Sequence, residues 1–177
     1  STYTKNVINK FLDKGYKLYI ATGRVERGAR LIADQFSHSL SLITTNGARI
    51  IDEKGKEIYS VTLNKKCKDF ILNLDYKKYG KEIFINGYSG TDWFVISDEY
   101  KDFYSKRRVD KTFGATVIDI EEFKKKDFNK LFFIGSFENL KKIREVSKEN
   151  ISKDANIDFV SENSLEIFDI SANKANA

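Results

Sequence analysis

Along the first 43 residues the apolar positions switch between two periods, and this switching limits the folds open to the chain more than any other feature. Val7, Ile8, Phe11 and Leu12 recur at helical spacing behind Ser1, which can cap a helix, and Gly15 follows as a C-terminal stop. Residues 17–21 read as a short buried strand. Residues 25–36 read as a second helix with Ala29, Ile32 and Phe36 on its inner side, and residues 40–43 as another strand. Helix, strand, helix, strand is the rhythm of a parallel sheet with crossovers, so the expected fold class is α/β.

After Thr44-Thr45-Asn46-Gly47 the rhythm changes. Residues 49–52 and 57–63 flank a Gly-containing turn and predict a hairpin. Asn64 can cap a helix over 65–76, and the first unit of the chain is expected to end there. Beyond it the pattern predicts paired strands at 82–86 and 93–97 around 87–92, a helix over 98–108, and a strand at 115–118. A short helix at 121–126 and a strand at 130–135 follow. An amphipathic helix over 138–149 turns Leu140, Ile143 and Val146 inward, and the last strands are 157–160 and 165–170. This order suggests a compact α+β unit on an antiparallel sheet.

The 177 residues are 41% hydrophobic and 14% aromatic, enough for a sizeable core. No apolar run approaches the ~20 residues of a membrane helix, and no secretory pattern is visible. The net charge of +5 arises from 31 Lys+Arg against 26 Asp+Glu. Acidic residues interrupt Lys65-Lys66, Lys124-Lys125-Lys126 and Lys141-Lys142, so these runs read as solvated faces rather than a nucleic-acid footprint. Neither a nucleic acid nor a membrane is expected as a partner, and oligomeric state stays open. Cys67 is the single cysteine, which leaves no internal disulfide framework and fits a reducing cytoplasm. The chain has no Met and no Pro and begins at Ser1, and the expectation is an internal portion of a longer protein.

Three segments carry candidate chemistry. Thr22-Gly23-Arg24 sits where a strand hands over to a helix, a junction that accepts anions and phosphate above all. The bland alternative is that Thr22 caps the helix and Arg24 is a surface residue. Asn46-Gly47 follows the next strand on the same rim, where ligands of open parallel sheets bind, or is an ordinary turn. Lys174 can deliver an ammonium to an anionic site, or is one lysine among many. His38 lies in a polar loop without ligand-spaced partners, and Cys67 lacks a catalytic partner. Trp93, Tyr88 and Phe94 are core or specificity residues, core being favoured. No glycine-rich phosphate loop and no dinucleotide fingerprint is present.

As an ordered set, Ile20-Ala21-Thr22-Gly23-Arg24, Thr45-Asn46-Gly47-Ala48 with the turn at Lys54-Gly55-Lys56, and Ser164-Leu165-Glu166-Ile167 leading into Asn173-Lys174-Ala175 resemble the haloacid dehalogenase-like superfamily, in its Cof-type branch of sugar-phosphate phosphatases. The resemblance implies a Rossmann-like core at 1–63 and 169–177 with an inserted α/β cap at 64–168. It implies that Thr22 holds the transferring phosphoryl group, that Gly23 and Arg24 flank it with Arg24 facing the substrate, and that Asn46 and Gly47 line the site. Lys174 would offset negative charge on nucleophile and phosphate. Val25 and Ala175 stand where the family often has Pro and Gly. Tyr88, Asp92, Trp93 and Arg107 are candidate cap residues for reading the leaving group, with no spacing rule to choose among them.

The family's Asp-x-Asp-x-Thr motif and its later acidic loop have no counterpart in this chain. The expected function is therefore that of a magnesium-dependent phosphatase whose nucleophile and Mg2+ ligands lie outside these residues. Residues 1–177 alone are expected to be inactive. The rival expectation is a non-catalytic α/β binding domain, with nucleic acid as its ligand.

Overall fold

A computed structural model describes residues 1–96 and 114–175. The expected helix over 98–108, and Arg107 with it, lie outside the described residues. Helix α1 spans Thr2–Leu12, and Ser1 caps it by accepting the Thr4 amide at 3.2 Å. Strand β1 (Tyr19–Ala21), helix α2 (Glu26–Ala33), strand β2 (Ser41–Thr44) and the hairpin β3 (Arg49–Ile51)/β4 (Glu57–Ser60) follow. They form a four-stranded sheet in the order β1-β2-β3-β4, with β1 and β2 parallel and the remaining pairs antiparallel. Leu12, Ala29, Ala33, Leu40, Leu42 and Ile51 make its core.

Two expectations for this half are corrected. The strand expected to be buried at 17–21 is short, and Tyr19 and Ala21 are exposed, because among the described residues β1 has a neighbour on one side only. Helix α2 stops at Ala33, where Gln35 and Phe36 donate to the carbonyls of Ile32 and Ala33 and tighten the last turn. Ile32 is exposed, and Gly28, Ala29 and Ala33 form the buried stripe instead.

Arg49, nearly buried, donates to Glu26 at the start of α2 and to Glu57 on β4, and Arg30 completes the network on Glu26 at 3.0 Å. Burial pulls the Arg49 pKa down, but the hydrogen bonds and charges of the two glutamates outweigh it and raise the value. The hairpin is thereby tied to the helix that begins just after Arg24.

The second sheet has six strands in the order β7-β6-β5-β8-β10-β9. These are β5 (Phe84–Ser89), β6 (Asp92–Val95), β7 (Thr116–Val117), β8 (Lys130–Ile134), β9 (Ala155–Ser161) and β10 (Ser164–Asp169). The sheet is not wholly antiparallel as expected, since β6 and β7 run parallel. The turn between β5 and β6 is also tighter than expected: Gly90, with φ +57°, makes a sharp reversal and Gly87 stays inside the strand. A side chain at Gly87 would run into the Phe128 ring, so only glycine lets that ring lie against the sheet.

Helices α3 (Lys65–Asn73), α4 (Ile120–Lys125) and α5 (Phe137–Ile151) contribute to the core on one face of this sheet. Asn64 caps α3 by accepting the Cys67 amide at 2.9 Å. The helix ends before the expected position, because Leu74 is extended and Tyr76 turns its ring onto Phe133. Strand alternation splits the sheet by face. Leu131, Phe133, Leu165 and Ile167 point to the helices. Lys130, Phe132, Glu166, Tyr88 and Trp93 share the opposite face, as the registers Tyr88↔Lys130 and Glu166↔Phe132 require.

Candidate active site

The carboxyl ends of β1 and β2 bring two loops together. The Thr22 amide donates to Ile43 O at 2.8 Å, the Thr45 amide to Arg24 O at 2.9 Å and the Asn46 amide to Thr22 O at 3.2 Å. Thr22 does not cap α2, whose N-cap is Val25 without a side-chain hydrogen bond. Instead the Thr22 hydroxyl oxygen accepts the Arg24 amide at 3.2 Å across the turn. The second loop is bent by three successive positive φ angles: Thr45 at 51°, Asn46 at 61° and Gly47 at 98°. Two of these residues are not glycine, a strain of the kind held at functional sites. Thr45 is buried, and its hydroxyl has no hydrogen-bond partner among the described residues.

Gly47 allows a third segment to join. A Cβ on it would lie 2.5 Å from Asn173 O and 3.1 Å from Lys174 N, so the backbone before Lys174 packs directly on this glycine. A Cβ on Gly23 would lie 2.5 Å from the Asn46 side-chain oxygen. All six residues expected from the sequence therefore come from three loops that touch.

Sequence reasoning missed two residues that the six-stranded sheet adds. Lys130, 1% exposed, donates to Gly23 O at 2.7 Å and to Glu166 Oε1 at 2.6 Å. Its ammonium also lies 4.7 Å from the centroid of the Tyr88 ring. Glu166 Oε2 accepts Asn46 Nδ2 at 2.6 Å. Burial pulls the Lys130 pKa down and the Lys174 charge adds to this, while Glu166 opposes both. Burial likewise pushes the Tyr88 hydroxyl up, Glu166 reinforces this, and Arg24 counters it. The signal was in the pattern: Lys130 heads the apolar run Leu131-Phe132-Phe133-Ile134, and Glu166 sits between Leu165 and Ile167. A charge in a buried strand requires a partner.

The other candidates lie elsewhere or fill the core. Trp93 is buried and donates to Asn86 at 2.9 Å, and Phe94 packs on the helix-covered face. Asp92 pairs with Arg27 of α2 at 3.0 Å, a second link between the sheets. His38 precedes β2, at the end away from these loops, beside Ser37 Oγ at 2.9 Å. Cys67 is fully buried, which raises its pKa. Carboxylates meet lysines of the first two runs, as in Lys66–Asp154 at 2.6 Å and Lys124–Glu121 at 3.3 Å.

The Lys130–Glu166 pair thus lies beside the turn that carries the Thr22 hydroxyl, with the exposed Arg24 and Lys174 on the adjoining loops. Such a place accepts an anion. Among the described residues no group of three or more His, Cys, Asp or Glu side chains could hold a metal.

Residues 1–177 match the family of haloacid dehalogenase-like hydrolases throughout, and the chain belongs to that family. A protein of Buchnera aphidicola subsp. Baizongia pistaciae, provisionally named a phosphatase, is 33% identical over 99% of this chain and 64% of its own length. The HMP-PP phosphatase of Klebsiella pneumoniae strain 342 is 22% identical over 98% of the chain and 62% of its own length. Among solved structures, a sugar phosphatase of haloacid dehalogenase subclass IIB superposes with a TM-score of 0.72 at 17% identity, covering 99% of this chain and 65% of that one. The chain spans less than two thirds of the length of these relatives. The haloacid dehalogenase-like α/β fold is the one expected from the sequence. Among the described residues no helix is long and apolar enough to cross a membrane.

Proposed function

We propose that the whole protein is a phosphatase for a small phosphorylated metabolite, a sugar phosphate by preference. The observation that carries this reading is the meeting of the three loops that hold Thr22 and Arg24, Asn46 and Gly47, and Lys174. The Thr22 hydroxyl oxygen is occupied by the Arg24 amide. Its proton is therefore available to a phosphoryl oxygen. Arg24 and Lys174 are exposed and can approach the remaining oxygens. Charge placed where the transition state develops it is the largest usual contribution to such a reaction. Transfer of the phosphoryl group to an aspartate, and the magnesium that would assist it, need carboxylates from outside residues 1–177.

Residues 1–63 and 169–177 are assigned to the core and 64–168 to the cap, which is supported by the two separate sheets. Tyr88 and Asp92, on the sheet above the turn, are the cap residues best placed to read the leaving group. The solved sugar phosphatase supports a sugar phosphate, and the relatives named HMP-PP phosphatase favour another phosphorylated metabolite as the second reading. A cytoplasmic location is supported by the lone, buried Cys67.

The test is hydrolysis of p-nitrophenyl phosphate and of a sugar-phosphate panel by the whole protein in magnesium. Thr22→Val and Lys174→Ala should each lower turnover more than tenfold. Wild-type rates in both variants would remove the site assignment, and no hydrolysis of any phosphate ester would remove the activity.

A further inference from the structure

Four groups form a closed ring across the two sheets. The Lys130 ammonium holds the Gly23 carbonyl, Glu166 holds Lys130, Asn46 donates to Glu166, and the Asn46 side-chain oxygen lies against Gly23. The ring closes on one peptide unit. The carbonyl that Lys130 grips belongs to the Gly23–Arg24 peptide, and the N–H at the other end of that peptide donates to the Thr22 hydroxyl. A peptide is planar, so fixing its C=O fixes the direction of its N–H. The Thr22 hydroxyl and the Lys130 ammonium are thus bonded to opposite ends of one peptide unit.

We propose that Lys130 and Glu166 are positioning residues that aim the Thr22 hydroxyl through the rigid Gly23–Arg24 peptide. The proposal rests on the phosphate-binding reading of Thr22. Three observations favour aim over mere packing. Lys130 sits on a central strand between β5 and β10, where an apolar side chain would pack at no electrostatic cost. Its ammonium donates to a backbone carbonyl in the loop after β1 rather than to its own sheet. Glu166 divides its two oxygens between Lys130 and the second loop of the site, so both loops are held from one carboxylate.

The discriminating variant is Lys130→Met combined with Glu166→Leu in the whole protein. Removing a buried pair together leaves no stranded charge, so folding should survive where either single change would harm it. The expected result is a melting temperature within a few degrees of wild type, turnover of p-nitrophenyl phosphate at least tenfold lower, and hydrogen exchange at the Arg24 amide, read by NMR, at least tenfold faster. In a Thr22→Val background the same double change should lower turnover no further, because the hydroxyl it aims is gone. Wild-type turnover in the double variant, unchanged exchange at Arg24, or a full additional loss in the Thr22→Val background would each overturn the proposal. If the double variant fails to fold, Glu166→Gln is read in its place. It keeps the volume and one acceptor, and should speed Arg24 exchange severalfold; unchanged exchange overturns the proposal. A protein that hydrolyses no phosphate would refute the functional reading alone, since the Arg24 amide reports on the ring without turnover.

Discussion

At the residue scale, glycine conformation separates two roles that a sequence cannot distinguish. Gly47 and Gly55 both have positive φ, 98° and 81°. Around Gly55 the nearest atom to an added Cβ is Arg30 Nη2 at 3.9 Å, whereas Gly47 is pressed against the Asn173 carbonyl. Gly55→Ala should therefore cost only the conformational strain, about 1 kcal/mol, with turnover unchanged. Gly47→Ala should add a backbone clash, cost about 2–4 kcal/mol, and displace Lys174 so that turnover falls with stability. Urea unfolding and steady-state kinetics on both variants check this, and equal losses would deny the contact. The sequence made Thr22, Arg24 and Asn46 legible because their geometry is local: a strand end, a turn, an asparagine before a glycine. Lys130 and Glu166 were not legible as site residues. Their meaning depends on which way a strand faces and on which sheet lies opposite.

At the scale of elements, the existence of a helix or strand is more legible in the sequence than its end. Ser1, Asn64 and Asp119 cap the helices they precede, and each is a local chemical signal. Helices α2 and α3 stop early for reasons outside their own periodicity: a tightened last turn in one, the docking of Tyr76 on Phe133 in the other. The link between α2 and β6 carries a pH-dependent term. Burial tends to raise the Asp92 pKa, but hydrogen bonds from Thr91 and Arg27, together with the Arg27 charge, hold it below its ordinary 3.8. A carboxylate with a depressed folded pKa stabilises the protein above the unfolded value, and this is lost as pH falls through the folded one. Both partners are more than a third exposed, so the contribution is about 0.2–1 kcal/mol at most. Asp92→Asn should lower the urea midpoint slightly at pH 6, and the difference from wild type should shrink steadily below about pH 3.8. A difference that persists unchanged at pH 2.5 would show that Asp92 acts through packing instead.

At the scale of the whole molecule, the two sheets are unequally buried. The six-stranded sheet is covered on one face by α3, α4 and α5, with Phe123, Phe133, Leu140 and Ile143 fully enclosed. Its other face buries Trp93 and Phe132. The four-stranded sheet has a smaller core, and a groove of about 320 Å³ runs beside α1 and the approach to β1, lined by Ile8, Phe11 and Leu18. Phe11 and Tyr16 are more than half exposed there. Stability follows buried apolar contact, so opening should be cheapest where that contact is thinnest. The polar ties between the halves, which include Arg27–Asp92, Asn129 to Ser60 Oγ at 3.1 Å and the Lys130 ring, add little apolar contact. In the 177-residue chain, native-state hydrogen exchange should therefore protect Leu131 and Phe133 at the centre of β8 at least tenfold more than Leu42 and Ile43 at the centre of β2. Both strands are paired on two sides, so the comparison isolates packing from hydrogen bonding. Equal protection would mean that the ring around Lys130 makes one cooperative unit of both sheets, and the turn at Thr22 would then be as rigid as the core beneath it.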